Sequence, residues 1–311
     1  MKFSFWSSSG HSWEHIVDTC RHAERAGWDG VWIPDHFMAP AAGYGDETDP
    51  EADPELRVTH EAWALLAALA VAVPRIRLGP LVCGNTYRHP AVLAKMAATV
   101  DRISGGRLVL GLGAGWQENE HHAYGIEFST VAGRFDRLDE ACRVIKALFS
   151  ATRADFAGRH YRLTNAPLEP KPLQEPLPLL IGGGGERRTL RIVAEHADEW
   201  NVWATPEEFA HKYEVLERHC DAVGRDRADI ATSAQALVFI CADEAAADRL
   251  RHADIDRPTL IGTPTQLQDQ VGAYAEAGVD ELVVPDFTFN GPDETHHAID
   301  AFISEVAGPL R

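Results

Sequence analysis

The sequence has few cysteines, no cysteine pattern typical of metal or disulfide sites, and little positive charge. Its five cysteines are an odd number without a Cys-x-x-Cys pair, which indicates a reducing compartment and neither a zinc knuckle nor a disulfide framework. Only 29 basic residues stand against 47 acidic ones, for a net charge of −18. Such a charge repels nucleic acid and anionic membranes, so we expect neither as a partner and favour an enzyme that acts on a small molecule.

Long hydrophobic runs and a dinucleotide-binding motif are also absent. No uninterrupted apolar run reaches the length of a membrane span, and the start MKFSFW lacks the apolar core of a signal peptide. We therefore expect a cytoplasmic protein. No Gly-x-Gly-x-x-Gly follows the first predicted strand, which disfavours a dinucleotide-binding fold.

Helices and strands alternate along the 311 residues. Eight such units favour closure into a (β/α)8 TIM barrel over an open sheet, as a single domain over residues 1–311. The strands are predicted at 2–6, 29–34, 76–83, 107–113, 179–181, 200–203, 230–241 and 281–284. Insertions are expected after strands 2 and 4 and before strand 5, at about 38–58, 114–132 and 151–178, the last with a short hairpin around Phe156 to Leu163.

Three joints between a helix and the next strand look alike. Each carries an aspartate, at Asp29, Asp198 and Asp280, one or two residues before the apolar strand residues begin. The similarity indicates a weak internal repeat of helix–strand units, in keeping with a barrel.

A run of four glycines, Gly182 to Gly185, follows the fifth strand and precedes a helix predicted at 186–197. Glycine N–H groups approach a ligand closely, and a helix start at Glu186 adds unpaired N–H groups, so the run is a candidate anion site next to Arg187 and Arg188. The alternative is a flexible turn. The run lacks the Lys and Ser/Thr of a nucleotide-triphosphate loop, so any phosphate bound here is not the reacting group.

In a TIM barrel the ligand site lies at the C-terminal ends of the strands. Asp35 and His36 follow the second strand, and an imidazole there is able to exchange a proton near neutral pH. The alternative is a histidine that only fixes a loop. Trp6, Trp116 and Trp203 fall at or beyond strand ends and suit a pocket for a planar ring, or else fill the core.

Two further patterns are weaker. The run Glu118-Asn119-Glu120-His121-His122 has the residue types of a metal site, but no supporting ligands occur elsewhere, so we expect no metal and a solvated loop or cofactor contacts instead. Cys83 ends the third strand, and a cysteine in that position is more often inert packing than a reactive thiol.

Several motifs in order resemble the bacterial luciferase-like flavin monooxygenase superfamily, and within it the branch that uses the deazaflavin coenzyme F420. The motifs are Trp32-Ile33-Pro34-Asp35-His36-Phe37, the block from Leu78 to Pro90, Gly111 to Trp116 with Glu120-His121 and Tyr124-Gly125, the glycine run, and Ile261-Gly262-Thr263-Pro264. The resemblance covers nearly the whole chain.

The resemblance implies a barrel that binds a reduced flavin or deazaflavin. In deazaflavin members a bulge with a non-prolyl cis peptide backs the ring, at about Leu81-Val82 here, and Asp35 and His36 match the pair beside the ring. The implied cofactor-binding residues are Leu81, Val82, Cys83, Gly84, Asn119, Gly182, Gly183, Gly184, Gly185 and Glu186.

One position departs from the sugar-phosphate dehydrogenases of this branch, which carry a catalytic glutamate where Trp116 stands. A tryptophan cannot shuttle a proton, which argues against that sugar chemistry. The leading hypothesis is an F420-dependent oxidoreductase that transfers a hydride to or from a small organic substrate. The alternatives are a two-component monooxygenase supplied with reduced FMN by a separate reductase, a non-catalytic flavin-binding protein and, most remotely, a metal-dependent hydrolase.

A homodimer is also expected from the resemblance. The apolar helix faces at 63–70 and 93–100 suit such an interface, and they equally suit packing on the barrel.

Overall fold

A computed structural model describes residues 1–41, 53–253, 255–289 and 291–311. Part of the insertion predicted at 38–58, residues 42–52, therefore lies outside the described residues. The strands are β1 Lys2–Trp6, β2 Gly30–Ile33, β3 Arg77–Pro80, β4 Cys83–Gly84, β5 Leu110–Gly113, β6 Ala154–Ala157, β7 Arg162–Ala166, β8 Leu179–Gly182, β9 Glu199–Trp203, β10 Ala231–Gln235, β11 Leu237–Ile240, β12 Thr259–Gly262 and β13 Glu281–Pro285.

Helices alternate with most of these strands. They are α1 Trp13–Ala26, α2 Ala62–Ala72, α3 Pro90–Ser104, α4 Glu118–Ala123, α5 Val131–Ser150, α6 Thr189–His196, α7 Pro206–Val223, α8 Glu244–Arg251, α9 Pro264–Glu276 and α10 Pro292–Ala301. Within the described ranges, no helix is both long and apolar enough to span a membrane.

The main sheet is a parallel barrel, in the order β3-β2-β1-β13-β10-β9-β8-β5-β4. Its two ends belong to the same predicted strand, because the segment at 76–83 is interrupted at Leu81-Val82 and appears as β3 and β4. A parallel bridge between Leu78 and Leu108 joins β3 to the residues that lead into β5. Eight strand positions thus surround the barrel, which confirms the predicted TIM-barrel fold.

Three predictions of local structure were wrong in detail. The strand predicted at 230–241 is two strands, because the chain leaves the barrel after Gln235 and β11 pairs in parallel with β12, a strand that the sequence analysis does not predict. The segment 114–132 is not a plain loop but contains α4. The third is the start of α6, described with the glycine run below. The hairpin around Phe156 and Leu163 is present as β6 and β7.

The aspartates of the three similar joints share one structural role. Asp29 Oδ2 accepts a hydrogen bond from Phe3 N at 2.9 Å, and the carboxylates of Asp198 and Asp280 accept from the N–H groups of Leu179 and Thr232. Each aspartate precedes one strand and binds the first residues of a neighbouring strand. The repeat seen in the sequence therefore fixes the register between adjacent parallel strands.

The barrel interior is apolar in the middle and ionic at its N-terminal end. Six buried side chains fill the middle: Trp6, Trp32, Leu81, Val109, Leu180 and Val283. Below them Arg77 pairs with Glu199, at 2.5 Å, and with Glu281, at 3.5 Å. Burial and the neighbouring Glu281 raise the pKa of Glu199, although Arg77 opposes this. A single guanidinium thus pairs with two largely buried carboxylates.

Replacing Arg77 by Met should destabilise the fold by about 3 kcal/mol, because it leaves buried charge without a partner. Arg143→Met is the matched control, since Arg143 and Asp139 form an ion pair at 2.6 Å on a half-exposed helix surface and should lose less than about 1 kcal/mol. The loss at Arg77 should be smaller at about pH 5 than at about pH 7, because Glu199, whose pKa is raised, takes up a proton in the folded state as the pH falls. Urea unfolding at the two pH values measures both effects, and equal losses for the two variants would contradict the assignment.

Candidate functional site

The C-terminal mouth of the barrel has an aromatic wall. The rings of Trp6 and Trp203 lie 5.9 Å apart, and Phe287, just after β13, lies 5.1 Å from Trp6. Arg257 stacks over Trp203 at 4.7 Å. Two of the three predicted pocket tryptophans are therefore neighbours, whereas Trp116 lies elsewhere on the rim with 60% of its surface exposed.

The floor of the mouth contains a non-prolyl cis peptide between Leu81 and Val82, where the resemblance predicts one. The Val82 side chain lies against glycines of the neighbouring strands. A Cβ added at Gly113 would lie 2.8 Å from Val82 Cγ2, and one at Gly182 would lie 2.9 Å from Val82 Cγ1. Gly182 is thus a strand residue whose lack of a side chain makes room for Val82.

Asp35 is a buried counter-ion of arginine. Both of its carboxylate oxygens accept hydrogen bonds from Arg88, at 2.6 and 3.0 Å, and Arg88 also pairs with Glu61 at 2.5 Å. Burial nevertheless raises the pKa of Asp35.

The neighbouring Cys83 thiol is fully buried, accepts a hydrogen bond from Trp63 Nε1 at 3.3 Å and has a pKa raised by burial, which agrees with inert packing.

The partner of His36 is Glu120, not the adjacent Asp35. His36 Nδ1 lies 2.7 Å from Glu120 Oε1, and the His36 ring meets Trp116 edge-on at 5.4 Å. The other oxygen of Glu120 accepts a hydrogen bond from Phe37 N at 2.7 Å, and Tyr87 donates its hydroxyl hydrogen to Oε1. The Glu120 side chain is fully buried, while that of His36 is 17% exposed.

The other residues of the Glu118–His122 run have separate roles. His121 is buried, with Nδ1 bonded to Gln117 O and Nε2 to Thr86 Oγ1, both at 2.6 Å. Glu118 and His122 form an exposed pair at 3.7 Å. The run therefore orders α4 and presents Glu120 to His36.

Among the residues that the structure describes, one group has ligand atoms close enough to share a metal ion: Asp139, Glu195 and His196. Its carboxylates already pair with Arg143 and Arg191 at 2.6 and 2.7 Å. These arginines neutralise the negative charge that a metal ion would need.

Asn119 connects α4 to both sides of the insertion after β2. Its side-chain amide donates to Ala39 O at 3.0 Å and to Glu55 Oε1 at 2.7 Å. Both amide hydrogens are thus engaged within the chain, and only the carbonyl oxygen remains for the predicted cofactor contact.

The glycine run leads into a turn, because α6 begins at Thr189 rather than at Glu186 as the sequence predicts. Gly183 has a φ of 118°, a conformation that side chains rarely adopt. Its N–H donates to Asn201 O at 2.9 Å. In the described part of the chain, the next five N–H groups, from Gly184 to Arg188, have no protein acceptor.

These N–H groups border an open groove of about 450 Å³, whose lining also includes Phe135. Lys212 Nζ donates to Gly184 O at 3.1 Å and lies 3.9 Å from Glu186 Oε1, which also pairs with His211 at 3.2 Å. Glu186 therefore faces cations of α7. The groove itself offers main-chain donors and the adjacent Arg187 and Arg188, which is the chemistry of an anion site.

Sequence reasoning missed three residues of this site: Glu120 as the partner of His36, Tyr87 as the second donor to that carboxylate, and Phe287 in the aromatic wall. Glu120 and Tyr87 were visible as polar residues after strands four and three. Their convergence on His36 had no signal in the sequence, because the contact spans 84 positions.

An ordered histidine–carboxylate pair and the glycine turn lie beyond strand ends of this parallel barrel, which is where the sites of TIM-barrel proteins lie. The model of the luciferase-like monooxygenase family matches residues 1–256, and the chain therefore belongs to this family. The relatives and structural neighbours it resembles include dehydrogenases and a monooxygenase.

One relative is an F420-dependent glucose-6-phosphate dehydrogenase from Amycolatopsis mediterranei, 33% identical over 185 residues, which are 58% of this chain and 50% of the relative. The match spans about half the length of such curated relatives. An F420-dependent secondary alcohol dehydrogenase, solved with an F420–acetone adduct, superposes with a TM-score of 0.84 at 20% identity, covering 100% of this chain and 99% of that one. A long-chain alkane monooxygenase superposes with 0.81 at 14% identity, covering 100% and 91%.

Proposed function

We propose that this protein is an F420-dependent oxidoreductase that moves a hydride between the deazaflavin and a small organic substrate. The observation that carries the proposal is the row of N–H groups from Gly184 to Arg188, without an acceptor among the described residues, beside a barrel mouth that also holds His36 and an aromatic wall. The row suits the phosphate of a cofactor, and the wall suits a planar ring. The F420-dependent activity named for relatives supports a deazaflavin as that cofactor.

The residues fit such a cofactor in three places. The N–H groups from Gly184 to Arg188 would hold its phosphate, with positive charge from Arg187. The cis peptide at Leu81-Val82 would back the ring, flanked by Trp6 and Trp203. When bound, the deazaflavin supplies or accepts the hydride.

His36 would exchange the proton that accompanies hydride transfer. It lies on the rim, and its Nε2 has no hydrogen-bond partner among the described residues. Asp35, engaged by Arg88, would hold the loop after β2 in place rather than exchange a proton. Trp116 stands where sugar-phosphate dehydrogenases are expected to carry an acid, so the substrate we propose is an alcohol or carbonyl compound other than a sugar phosphate.

A second candidate is a two-component monooxygenase that uses reduced FMN, supplied by a separate reductase, and O2. The structural similarity to an alkane monooxygenase is consistent with this second candidate, although a similarity at 14% identity shows the fold alone. A third, of another class, is a flavin-binding protein without turnover. The His36–Glu120 pair speaks against this third candidate, because pure binding needs no ordered proton-exchanging group.

A homodimer also remains a proposal. The faces at 63–70 and 93–100 are not its basis, because Trp63, Leu66, Leu93 and Ala97 are buried within the chain. Apolar side chains on the outer surfaces of α2 and α3 support it instead: Val71, Val92 and Ile103 are 70%, 54% and 45% exposed.

Fluorescence titration tests the choice of cofactor. We expect F420 to bind at least about 10-fold more tightly than FMN, a difference of roughly 1.4 kcal/mol. Tight FMN binding without F420 binding, together with oxygen uptake that depends on substrate, would establish the monooxygenase instead. Binding of either cofactor with no turnover across a panel of alcohols and ketones would favour the non-catalytic protein.

A further inference from the structure

We propose that Glu120, supported by Tyr87, is a positioning residue that fixes the tautomer of His36 so that Nε2 is the atom that exchanges the substrate proton. This inference deepens the proposed function and rests on it for its catalytic meaning. The structural part, which nitrogen of His36 carries the proton, stands on the contacts of this chain alone.

The first step is the set of donors around Glu120. Phe37 N donates to Oε2 at 2.7 Å, Tyr87 donates its hydroxyl hydrogen to Oε1, and His36 Nδ1 lies 2.7 Å from the same Oε1. A neutral carboxyl group would carry a hydrogen on one of its oxygens, whereas the donors Phe37 N and Tyr87 hydroxyl require Oε2 and Oε1, respectively, to accept. The arrangement therefore selects the ionised carboxylate.

The charge of Glu120 is consistent with this selection. Burial opposes ionisation, but the hydrogen bonds from His36, Tyr87 and Phe37 outweigh burial and lower the pKa of Glu120. The carboxylate is fully buried, so water does not compete for its lone pairs.

The tautomer follows from the donors. Because the carboxylate only accepts, Nδ1 of His36 must carry a hydrogen, and in the neutral ring Nε2 is then the bare nitrogen. Nε2 has no hydrogen-bond partner among the described residues, and the side chain reaches the surface at the barrel mouth. The bare nitrogen is thus the one that a substrate is able to reach.

The consequence for the reaction is a defined path for one proton. In alcohol oxidation His36 Nε2 would accept the hydroxyl proton, and a bound deazaflavin would supply the acceptor for the hydride that the alcohol carbon loses as the carbonyl forms. The imidazolium that results lies 2.7 Å from the Glu120 carboxylate, which stabilises its charge. Carbonyl reduction runs the same transfers in reverse.

Tyr87 supports Glu120 from the other side. Its ring packs on Phe37 at 4.9 Å and on His121 at 5.0 Å, so the hydroxyl has little freedom to leave the carboxylate. Tyr87→Phe removes one donor while the charge of Glu120 and the aromatic packing stay. It is therefore the mild variant, and Glu120→Gln is the strong one.

The test is 15N NMR of histidine-labelled protein without cofactor, with the His36 signals identified by their loss in His36→Gln. In the wild type we expect the neutral His36 ring to carry its hydrogen on Nδ1. In Glu120→Gln, which lacks the carboxylate charge, the hydrogen should move mainly to Nε2, while Tyr87→Phe should keep it on Nδ1. Glu118→Gln is the matched control, because Glu118 lies on the same short helix with an exposed carboxylate, and it should change nothing.

Turnover gives the second readout. With the substrate found in the alcohol and ketone panel, kcat should fall about 100-fold or more in Glu120→Gln, as for other enzymes in which the histidine tautomer is lost, with KM changed little. A wild-type His36 with its hydrogen on Nε2 would overturn the inference without any variant, as would an unchanged tautomer in folded Glu120→Gln. Failure of the cofactor titration would overturn the proposed function but leave the tautomer measurement intact, so the two failures are distinguishable.

Discussion

Replacing His36 by Gln should lower kcat by about 100- to 10,000-fold, the range in which a positioned acid or base contributes. The affinity for the cofactor should change less than about twofold, because no part of the phosphate site involves His36. Gln keeps an N–H group to donate toward Glu120 but has no group that exchanges a proton near neutral pH. The change therefore removes the proton exchange and leaves the carboxylate with a donor.

Stopped-flow absorbance of the deazaflavin during a single turnover measures this effect, since it separates the hydride step from product release. His122→Gln is the control: His122 lies two positions from Glu120, its side chain is 69% exposed, and its partner is Glu118. Turnover should be unchanged in it. If His36→Gln kept wild-type turnover, His36 would return to the role of a residue that fixes a loop.

The comparison of Asp35 with Glu120 explains which part of the site the sequence predicts. Strand periodicity and the barrel fold identify the residues that follow each strand, and both His36 and Glu120 are among them. The sequence groups Asp35 with His36 because the two are adjacent, yet neighbouring residues often point in different directions. Asp35 is turned toward Arg88, and the contact to Glu120 depends on how α4 packs, which no local pattern encodes.

The fold errors have similar physical reasons. The segment 230–241 contains no Gly, Pro or charged residue, so nothing in it marks Ala236 as the point where the chain leaves the barrel. A run without such breaks fits one long buried strand as well as two short ones. The sequence predicts the start of α6 at Glu186, three residues too early. No Ser, Thr, Asp or Asn lies between the glycine run and Thr189 to mark the N-terminus of the helix, and Arg188 caps it without a side-chain hydrogen bond. By contrast, Thr205-Pro206-Glu207-Glu208 has the sequence pattern of a capping box, and the structure has one at the start of α7.

The aspartates at the helix–strand joints show where a sequence repeat carries structural information. Asp29, Asp198 and Asp280 are separated by many residues, but each follows the same pattern and makes the same bond to a neighbouring strand. The local sequence pattern is enough to identify these aspartates, because the same hydrogen bond recurs at the same place in each helix–strand unit. The active-site contacts occur once, and no repeat reveals them.

Replacing Gly183 by Val should weaken cofactor binding by at least about 100-fold, or roughly 2.7 kcal/mol. A β-branched residue at a φ of 118° is strained, so the turn must adopt another path. The N–H groups from Gly184 to Arg188 would then no longer converge on one anion. Each hydrogen bond to a charged group is worth about 1.5 to 3 kcal/mol, so the loss of one or two accounts for the expected effect.

The control for this variant must carry the same backbone strain away from the site. Gly105 ends α3 with a φ of 71° and no atom within 4 Å of an added Cβ, so Gly105→Val should lower the melting temperature and leave cofactor affinity as it is. Titration with F420 and with inorganic phosphate then separates the two causes. If Gly183 is part of a phosphate site, its variant loses affinity for both ligands and the control loses neither. Unchanged affinity for both ligands in Gly183→Val would mean that the glycine run is a plain turn. Loss of F420 binding with phosphate binding intact would mean that the phosphate site lies elsewhere. Gly183 would then support the ring pocket, through the hydrogen bond from its N–H to Asn201 O.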